Sequence, residues 1–174
     1  MVLQVTRREG AVMKPLLEFT AHGRAIPKGN LSIGGSRQYP KLRETNDKAL
    51  DSWLTDLRTA AAVAMVEAGY FELFDQPLCL TVNVYFQRPG SHLTSKGVLS
   101  AQGLREPFPK RHRINKMNIG DLDKLLRAIG DGLTGQVWKD DSQIVGITGL
   151  WKLWGEPQRA GIKVYDAAKV CGLS

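Results

Sequence analysis

The sequence has few of the residues that build disulfide or zinc sites. Only two of its 174 residues are cysteines, Cys79 and Cys171, and they lie far apart in the chain. Two distant cysteines provide neither a disulfide framework nor the paired spacing of a zinc ribbon. They are typical of a compartment in which thiols stay reduced. We therefore expect a cytoplasmic protein.

Long hydrophobic runs are also missing. The longest uninterrupted aliphatic run spans 60–66, whereas a membrane-spanning helix needs about 20 apolar residues. Near the N-terminus, Arg7 and Arg8 precede only a broken apolar stretch, which is not the pattern of a signal peptide. We expect no membrane partner.

Several common catalytic motifs are absent. There is no Walker A motif, no GxSxG nucleophile elbow and no GxGxxG following a strand. No set of His and Cys has the spacing of a zinc site. Nucleotide-dependent chemistry and serine-hydrolase chemistry are therefore not indicated.

The length and composition favour one folded domain. A chain of 174 residues fits a single domain, and 43% hydrophobic with 24% charged residues excludes wholesale disorder. We expect residues 1–14 to be a flexible lead-in and residues 15–174 to be a single domain.

Hydrophobic periodicity predicts six main elements. They are a strand over 15–26, a helix between Asn46 and Gly69, a strand over 78–86, a helix over 121–133, and strands over 144–153 and 162–166. Segments 28–41 and 87–120 are rich in Gly and Pro without a period, so both are predicted to be basic loops.

These elements predict the fold class. Two helices are too few for a doubly wound sheet. We expect a two-layer α+β domain, with a small mixed sheet packed against two main helices in the order β-α-β-loop-α-β-β.

Positive charge dominates the chain and is unevenly distributed. There are 24 Lys and Arg against 17 Asp and Glu, a formal charge of +7. The segment 88–120 alone holds seven Lys and Arg against one Glu. Such a loop is suited to binding DNA phosphates, although a solvated loop in a basic protein has the same composition. The candidate DNA-binding residues are Lys28, Lys110, Arg111, Arg113, Lys116 and Lys139, with Arg37 extending that surface.

Two pairs of aspartates follow the basic loop. Asp121 and Asp123 open a helix, and Asp140 and Asp141 precede a strand. A single Asp at either place is explained by helix capping or turn formation. If the connection brings both pairs together, two carboxylates 4 Å apart repel by roughly 4 kcal/mol at an effective dielectric of 20. A hard dication such as Mg²⁺, which binds oxygen ligands, would relieve that repulsion. The residues alone therefore indicate Mg²⁺-dependent phosphodiester chemistry on nucleic acid.

Residues 121–144 resemble the signature of the RusA family of Holliday-junction resolvases. The signature comprises an Asp-x-Asp pair opening a helix, a basic residue four positions on, an acid near the helix end, and an aromatic-x-Asp-Asp-x-Gln run before a strand. In this sequence these positions hold Asp121, Asp123, Arg127, Asp131, Trp138, Asp140, Asp141 and Gln143. More weakly, residues 23–28, Arg88-Pro89 and Lys152 fit the family layout.

The resemblance implies a homodimeric, Mg²⁺-dependent endonuclease that resolves four-way DNA junctions by paired nicks, and that is common in phages. Mn²⁺ is the alternative metal. Asp121, Asp123 and Asp141 match the metal-binding and catalytic carboxylates, with Asp140 as the reserve candidate. Asp131 matches an acid that is expected to be structural, and Trp138 is expected to be a core aromatic rather than a DNA wedge.

This sequence departs from the family pattern in three places. Lys124 replaces a frequent Asn, and Arg127 stands where the family has a catalytically important Lys. Because an Arg does not exchange protons near neutral pH, Arg127 is predicted to act as an electrostatic clamp on the phosphate, or to form an i,i+4 ion pair with Asp123. The basic segment 87–120 is also longer than the family pattern needs. Two other functions stay open: a non-catalytic protein that binds junctions or forks, and a broader fork or flap nuclease.

Overall fold

The computed structural model describes residues 13–29, 31–36, 39–44, 47–109, 113–114 and 117–173. The strands are β1 (Leu17–His22), β2 (Leu31–Ser36), β3 (Tyr39–Glu44), β4 (Leu78–Phe86), β5 (Arg113–Ile114), β6 (Met117–Asn118), β7 (Ile144–Trp154) and β8 (Arg159–Asp166). The helices are α1 (Asp47–Glu67), α2 (Ala101–Arg105), α3 (Leu122–Leu133) and α4 (Ala167–Cys171).

A four-stranded mixed sheet forms one layer of the fold. Its strand order is β1-β8-β4-β7. β8 pairs antiparallel with both β1 and β4, whereas β7 pairs parallel with β4. A parallel pair needs a crossover connection, and the segment between β4 and β7 supplies it with α3. Among the described residues, β1 and β7 are the two edges of this sheet.

Helices α1 and α3 form the second layer. Apolar residues recur along each helix at 3.6-residue spacing, and they are buried against alternate residues of β4. Burying one such large aliphatic side chain stabilises the fold by about 1.5–3 kcal/mol. The buried residues of α3 include Leu125, Ile129 and Leu133, and the alternate core residues of β4 are Leu78, Leu80, Val82, Val84 and Phe86. The predicted two-layer α+β fold is confirmed.

Gly132 allows α1 and α3 to approach closely. A Cβ atom at this position would lie 2.7 Å from one methyl group of Leu54 and 3.0 Å from one of Leu57. Its carbonyl oxygen accepts a hydrogen bond from Nε of Arg58 at 3.1 Å. The glycine that weakens the last turn of α3 in isolation therefore serves the helix packing.

Four local predictions need correction or extension. The segment 28–41 is not simply a loop, because the backbones of β2 and β3 pair as an antiparallel hairpin; Pro40 is tolerated because a strand can hold a proline at an edge. The first strand covers Leu17–His22 rather than 15–26, and α4 was not predicted. Segment 87–120 contains α2 and the short strands β5 and β6. The predicted lead-in lies outside the described residues except for residues 13–14.

Candidate active site

Asp121 occupies the N-cap position of α3 without using its side chain as a cap. Its backbone is extended, with φ −86° and ψ 153°, and its carbonyl oxygen accepts the hydrogen bond from the N–H of Leu125 at 3.2 Å. Its carboxylate makes no capping hydrogen bond, so the usual structural role of an N-cap aspartate does not explain it. Asp123 lies in the first turn, and both side chains are exposed. The helix dipole favours negative charge at this end.

Lys152 lies beside the start of α3. It is near the end of β7, and its Nζ donates a hydrogen bond to the carbonyl oxygen of Gly120 at 3.0 Å. Partial burial lowers the pKa of Lys152, and the negative charge of Asp121 acts in the opposite direction. The strand thus holds a cation next to the first candidate carboxylate.

Lys152 is not among the candidate site residues that the sequence pattern predicts, although the pattern contains a signal for it. Lys152 pairs in register with Val84, on the face of the sheet that also holds Leu150 and Trp154. A lysine among apolar residues on the core face of a strand is unusual, and such a residue needs a polar partner.

Gly120 fixes the entry of the chain into α3. Its φ is +80°, a left-handed conformation that glycine adopts without strain. A Cβ here would lie 2.5 Å from Cβ and Cγ of Pro27, and the N–H of Lys28 donates to the carbonyl oxygen of Lys124 at 3.2 Å. Part of segment 23–28, which resembles the family's first-strand turn, therefore packs directly against the candidate site.

Asp140 and Asp141 have different surroundings. The carboxylate of Asp140 accepts a hydrogen bond from the N–H of Ser142 at 2.8 Å, and Gln143 Oε1 accepts from the N–H of Asp140 at 2.9 Å. This reciprocal capping box opens the short 3₁₀ helix Asp141–Gln143, and the hydrogen bonds from Ser142 lower the pKa of Asp140. The exposed carboxylate of Asp141 makes no hydrogen bond or ion pair within the described residues. Asp140 is a structural cap, and Asp141 has the available carboxylate.

Asp121 and Asp141 lie near opposite ends of α3 in one chain. The 12 residues of α3 rise about 18 Å, and Asp141 follows the turn that closes the far end of the helix. The returning strand β7 does reach the helix start, but with Lys152 rather than with Asp141. Accordingly, within the described part of the chain, no three His, Cys, Asp or Glu side chains are grouped to hold a metal ion. Two of the three predicted metal ligands, Asp121 and Asp123, lie at the start of α3. The third, Asp141, lies beyond the other end of the helix.

Arg127 is one helical turn beyond Asp123 on α3 and is exposed. Among the described residues it makes no ion pair with Asp123, so that structural explanation of the arginine is not supported. The acid near the end of α3, Asp131, instead forms an ion pair with Lys28, which agrees with a structural role for Asp131.

The remaining predicted DNA-binding residues are only partly described. Lys139 forms an exposed ion pair with Asp75 at 3.5 Å. Arg113 lies in β5. Residues Arg37, Lys110, Arg111 and Lys116 lie outside the described residues.

Two residues of segment 88–120, Arg88 and His92, make contacts that stabilise the fold. Arg88 donates from Nη1 to the carbonyl oxygens of Gly103 at 3.2 Å and Glu106 at 3.4 Å, and its guanidinium carbon lies 5.4 Å from the ring centroid of Trp154. The buried ring of His92 packs edge-on against Trp154 and lies 3.8 Å from a carboxylate oxygen of Glu106. These contacts anchor the base of the segment at one end of the sheet. No periodic pattern in the sequence indicated this cluster.

Trp138 is confirmed as a core aromatic. Its side chain is completely buried, and its Nε1 donates a hydrogen bond to Oγ1 of Thr134 at 3.1 Å. A DNA wedge would need an exposed ring, so this residue contributes to the turn after α3 and not to a DNA surface.

A fold with exposed acidic residues at a helix start, next to a half-buried lysine, agrees with the comparison to known protein families. Residues 25–165 match the family model Endodeoxyribonuclease RusA. The protein is therefore an endodeoxyribonuclease, an enzyme that cuts DNA strands internally. It belongs to the RusA family, which implies activity on DNA junctions.

A search of curated proteins gave no match. None of the helices in the described ranges combines the length and apolar character needed to span a membrane.

Proposed function

We propose that this protein is a homodimeric, Mg²⁺-dependent nuclease that resolves four-way DNA junctions by paired nicks. The family match supports the class of reaction. The observation that carries the proposal is the carboxylate of Asp121, which stands at a helix N-cap without capping the helix. A carboxylate that makes no capping hydrogen bond, beside a second acid and a lysine, is available to a ligand.

The donor chemistry of the candidate residues fits Mg²⁺. This ion prefers oxygen ligands and is commonly held by one or two carboxylates, with water and substrate phosphate completing the coordination. Asp121 and Asp123 would provide the first carboxylates, and Asp141 of the partner subunit the third. When bound, Mg²⁺ activates a water molecule and offsets charge on the scissile phosphate. Mn²⁺, which accepts similar ligands, is the expected substitute.

Asp121 and Asp141 lie near opposite ends of α3 in one chain, and this separation supports an active site that two subunits of a dimer share. β7 is an edge of the sheet among the described residues, and three of its large apolar side chains are exposed: Val145 by 63%, Ile147 by 40% and Trp151 by 56%. An exposed apolar edge strand readily pairs with another chain. Antiparallel pairing of two β7 strands about a twofold axis would bring Asp141 of the partner subunit to the end that holds Lys152 and Asp121.

The cationic side chains near the site would bind and orient DNA. Arg127 would hold the scissile phosphate as a fixed positive charge, since a guanidinium matches phosphate oxygens with two parallel hydrogen bonds. Lys152 would keep the start of α3 in place through Gly120. Lys110, Arg111, Arg113, Lys116 and Lys139 would contact the junction arms through their phosphates. A twofold dimer suits a junction because each active site addresses one of two equivalent strands.

Nicking of a labelled four-way junction tests the proposed activity. The purified protein should cut the junction in Mg²⁺ or Mn²⁺ and not in EDTA, with little cutting of plain duplex. Faster cutting of replication forks or flaps than of junctions would favour the broader nuclease instead. Asp121→Asn and Asp141→Asn should each bind the junction with unchanged affinity and cut it at least 100-fold more slowly.

Subunit mixing tests the shared site. A heterodimer of Asp121→Asn and Asp141→Asn contains one site with both carboxylates intact, so mixing two inactive proteins should restore nicking of one strand. The matched control mixes Asp121→Asn with Asp123→Asn, which leaves no intact site and should stay inactive. No recovery in the first mixture, with heterodimers shown to form, would exclude the shared site. Full cutting by either single variant would contradict the enzymatic roles themselves.

A further inference from the structure

A groove lies at the other edge of the sheet from β7. It has a volume of about 670 Å³ and lies between β1 and the outer side of α1. The residues that line it come from five positions of segment 18–23 and from one stripe of α1: Asp56, Thr59, Ala60, Val63, Ala64 and Glu67. We call it the β1–α1 groove.

One wall of the groove is an edge of β1 whose outward backbone groups have no partner within the described part of the chain. The N–H of Gly23 donates to the carbonyl oxygen of Gln158 at 3.0 Å, and Leu17 pairs with Val164 in the same register. Because backbone groups alternate direction along an antiparallel strand, those of Glu18, Thr20 and His22 point away from β8. Each provides one N–H donor and one carbonyl acceptor to an incoming strand.

The opposite wall is a partly apolar helix surface. Ala60, Val63 and Ala64 lie along α1 at helical spacing, and Val63 is 52% exposed. Val66, on the next turn, is 62% exposed. Small apolar side chains facing a free strand edge form the kind of groove in which an extended peptide adds a strand.

The charge of the groove is opposite to that of the whole chain. Its lining contains Glu18, Asp56 and Glu67 but neither Lys nor Arg, although the chain has a formal charge of +7. Glu18 pairs with Lys163 at 2.9 Å, whereas Asp56 and Glu67 make no ion pair within the residues that the structure describes. An acidic groove repels DNA phosphates and attracts a cationic peptide.

We propose that the β1–α1 groove binds an extended, positively charged segment of a partner protein, which adds to the sheet as a strand beside β1. The backbone of the segment bonds to the free edge, its small apolar residues cover Val63, and its Lys or Arg side chains reach Asp56 and Glu67. This surface is at the opposite edge of the sheet from the candidate active site, so it goes beyond the nuclease function and does not depend on it.

A fluorescein-labelled nine-residue peptide of alternating Lys and Val is a direct probe. Its binding to the full chain is measured by fluorescence anisotropy. The double variant Asp56→Arg/Glu67→Arg should weaken binding at least about tenfold, because two charge pairs are lost. The control Asp51→Arg/Glu72→Arg makes the same charge change at exposed positions outside the groove and should leave the affinity within about twofold. Thermal unfolding checks that both variants fold.

Pairing of the peptide backbone with β1 can be tested separately from the charge interactions. A peptide methylated on every backbone nitrogen keeps its charge but has no N–H donor for the ladder at either edge, so it should not bind. Amide hydrogen exchange at Glu18, Thr20 and His22 should slow when the unmodified peptide binds. Equal binding of the methylated peptide, or equal weakening by both double variants, would overturn the proposal.

Two further measurements would reveal a different occupant of the β1–α1 groove. Tighter peptide binding after removal of residues 1–12 would assign the groove to the N-terminal segment of this chain and overturn the proposal. Loss of the dimer in Asp56→Arg/Glu67→Arg alone would assign it to a second copy and would likewise overturn it. The nicking assay of the same variants should be unchanged, which keeps this test separate from that of the nuclease function.

Discussion

Lys152 and Gly120 join the end of a strand to the start of a helix. The Nζ of Lys152 donates to the carbonyl oxygen of Gly120 at 3.0 Å, one residue before Asp121. A charged donor forms a stronger hydrogen bond than a neutral one. The position of the first candidate carboxylate is therefore tied to the sheet through this contact.

Replacing Lys152 should reduce DNA cutting more than it reduces folding. Lys152→Met removes the bond to Gly120 and the positive charge near Asp121, and we expect the single-turnover cutting rate to fall about 10-fold to 100-fold. Thermal stability should change little, because the substitution also removes a partly buried charge. Lys152→Arg should retain more activity than Lys152→Met. The exposed Lys169 on α4 is the control, and an equal effect of Lys169→Met would contradict the assignment.

Two glycines near α3 should respond to alanine in opposite directions. Gly120→Ala places a Cβ 2.5 Å from Pro27 at a φ of +80°, so we expect a loss of about 1–3 kcal/mol of unfolding free energy. At Gly130, inside the helix, a Cβ meets nothing within 4 Å, and Gly130→Ala should stabilise by up to about 1 kcal/mol. Urea unfolding of both variants measures the two changes. Destabilisation of similar size at both sites would show that the close approach of Pro27 is not the cause.

Asp140 should contribute pH-dependent stability. Hydrogen bonds from Ser142 lower its pKa in the folded state, below the value of about 3.9 for an unfolded aspartate. The contribution is therefore fully present above about pH 4 and is lost as the pH falls through the folded-state pKa. The melting temperature of Asp140→Ala should lie below that of the wild type at pH 7, and the difference should narrow below about pH 4.

Asp141→Ala is the matched control for this effect. Its carboxylate accepts no hydrogen bond within the described residues, so its melting temperature at pH 7 should stay close to that of the wild type. Cutting should show the reverse order, with Asp141→Ala inactive and Asp140→Ala active. A melting temperature as low as that of Asp140→Ala would instead give Asp141 a structural role.

Arg127 should act through charge rather than through proton transfer. Arg127→Ala should lower the single-turnover cutting rate about 100-fold, with thermal stability maintained because the side chain is exposed and makes no ion pair with Asp123 in the described structure. Arg127→Lys keeps the charge and should retain more of the activity. Equal rates for wild type and Arg127→Ala would show that the residue is only a solvated helix position.

The sequence predicted the main elements well where local patterns are strong. β4 begins right after Pro77 and alternates throughout, so its predicted and observed limits are the same. α3 combines an apolar stripe with an acidic start, and its limits differ from the prediction by one residue. The β2–β3 hairpin was missed because Gly34, Gly35 and Pro40 are typical of loops, and the pairing of two strands is not a local property.

The candidate site was only partly predictable for the same reason. The placement of Asp121 and Asp123 could be predicted, because the sequence pattern puts both residues at a helix start. The contrast between Asp140 and Asp141 depends on which carboxylate accepts the N–H of Ser142, and no spacing rule reveals it. The path of β7 also decides that Lys152, and not Asp141, reaches the start of α3. Such long-range placement is set by the packing of the whole sheet.

The separation of Asp121 from Asp141 along α3 has a consequence for control of the enzyme. In one subunit Asp121 and Asp141 lie near opposite ends of a helix that rises about 18 Å, so with the proposed shared site a freshly made or highly diluted chain would lack a complete active site and would be harmless to chromosomal DNA. Cutting would begin only once subunits associate, and at low abundance its rate would rise with the square of their concentration. The need to form a dimer would then protect DNA from uncontrolled cutting.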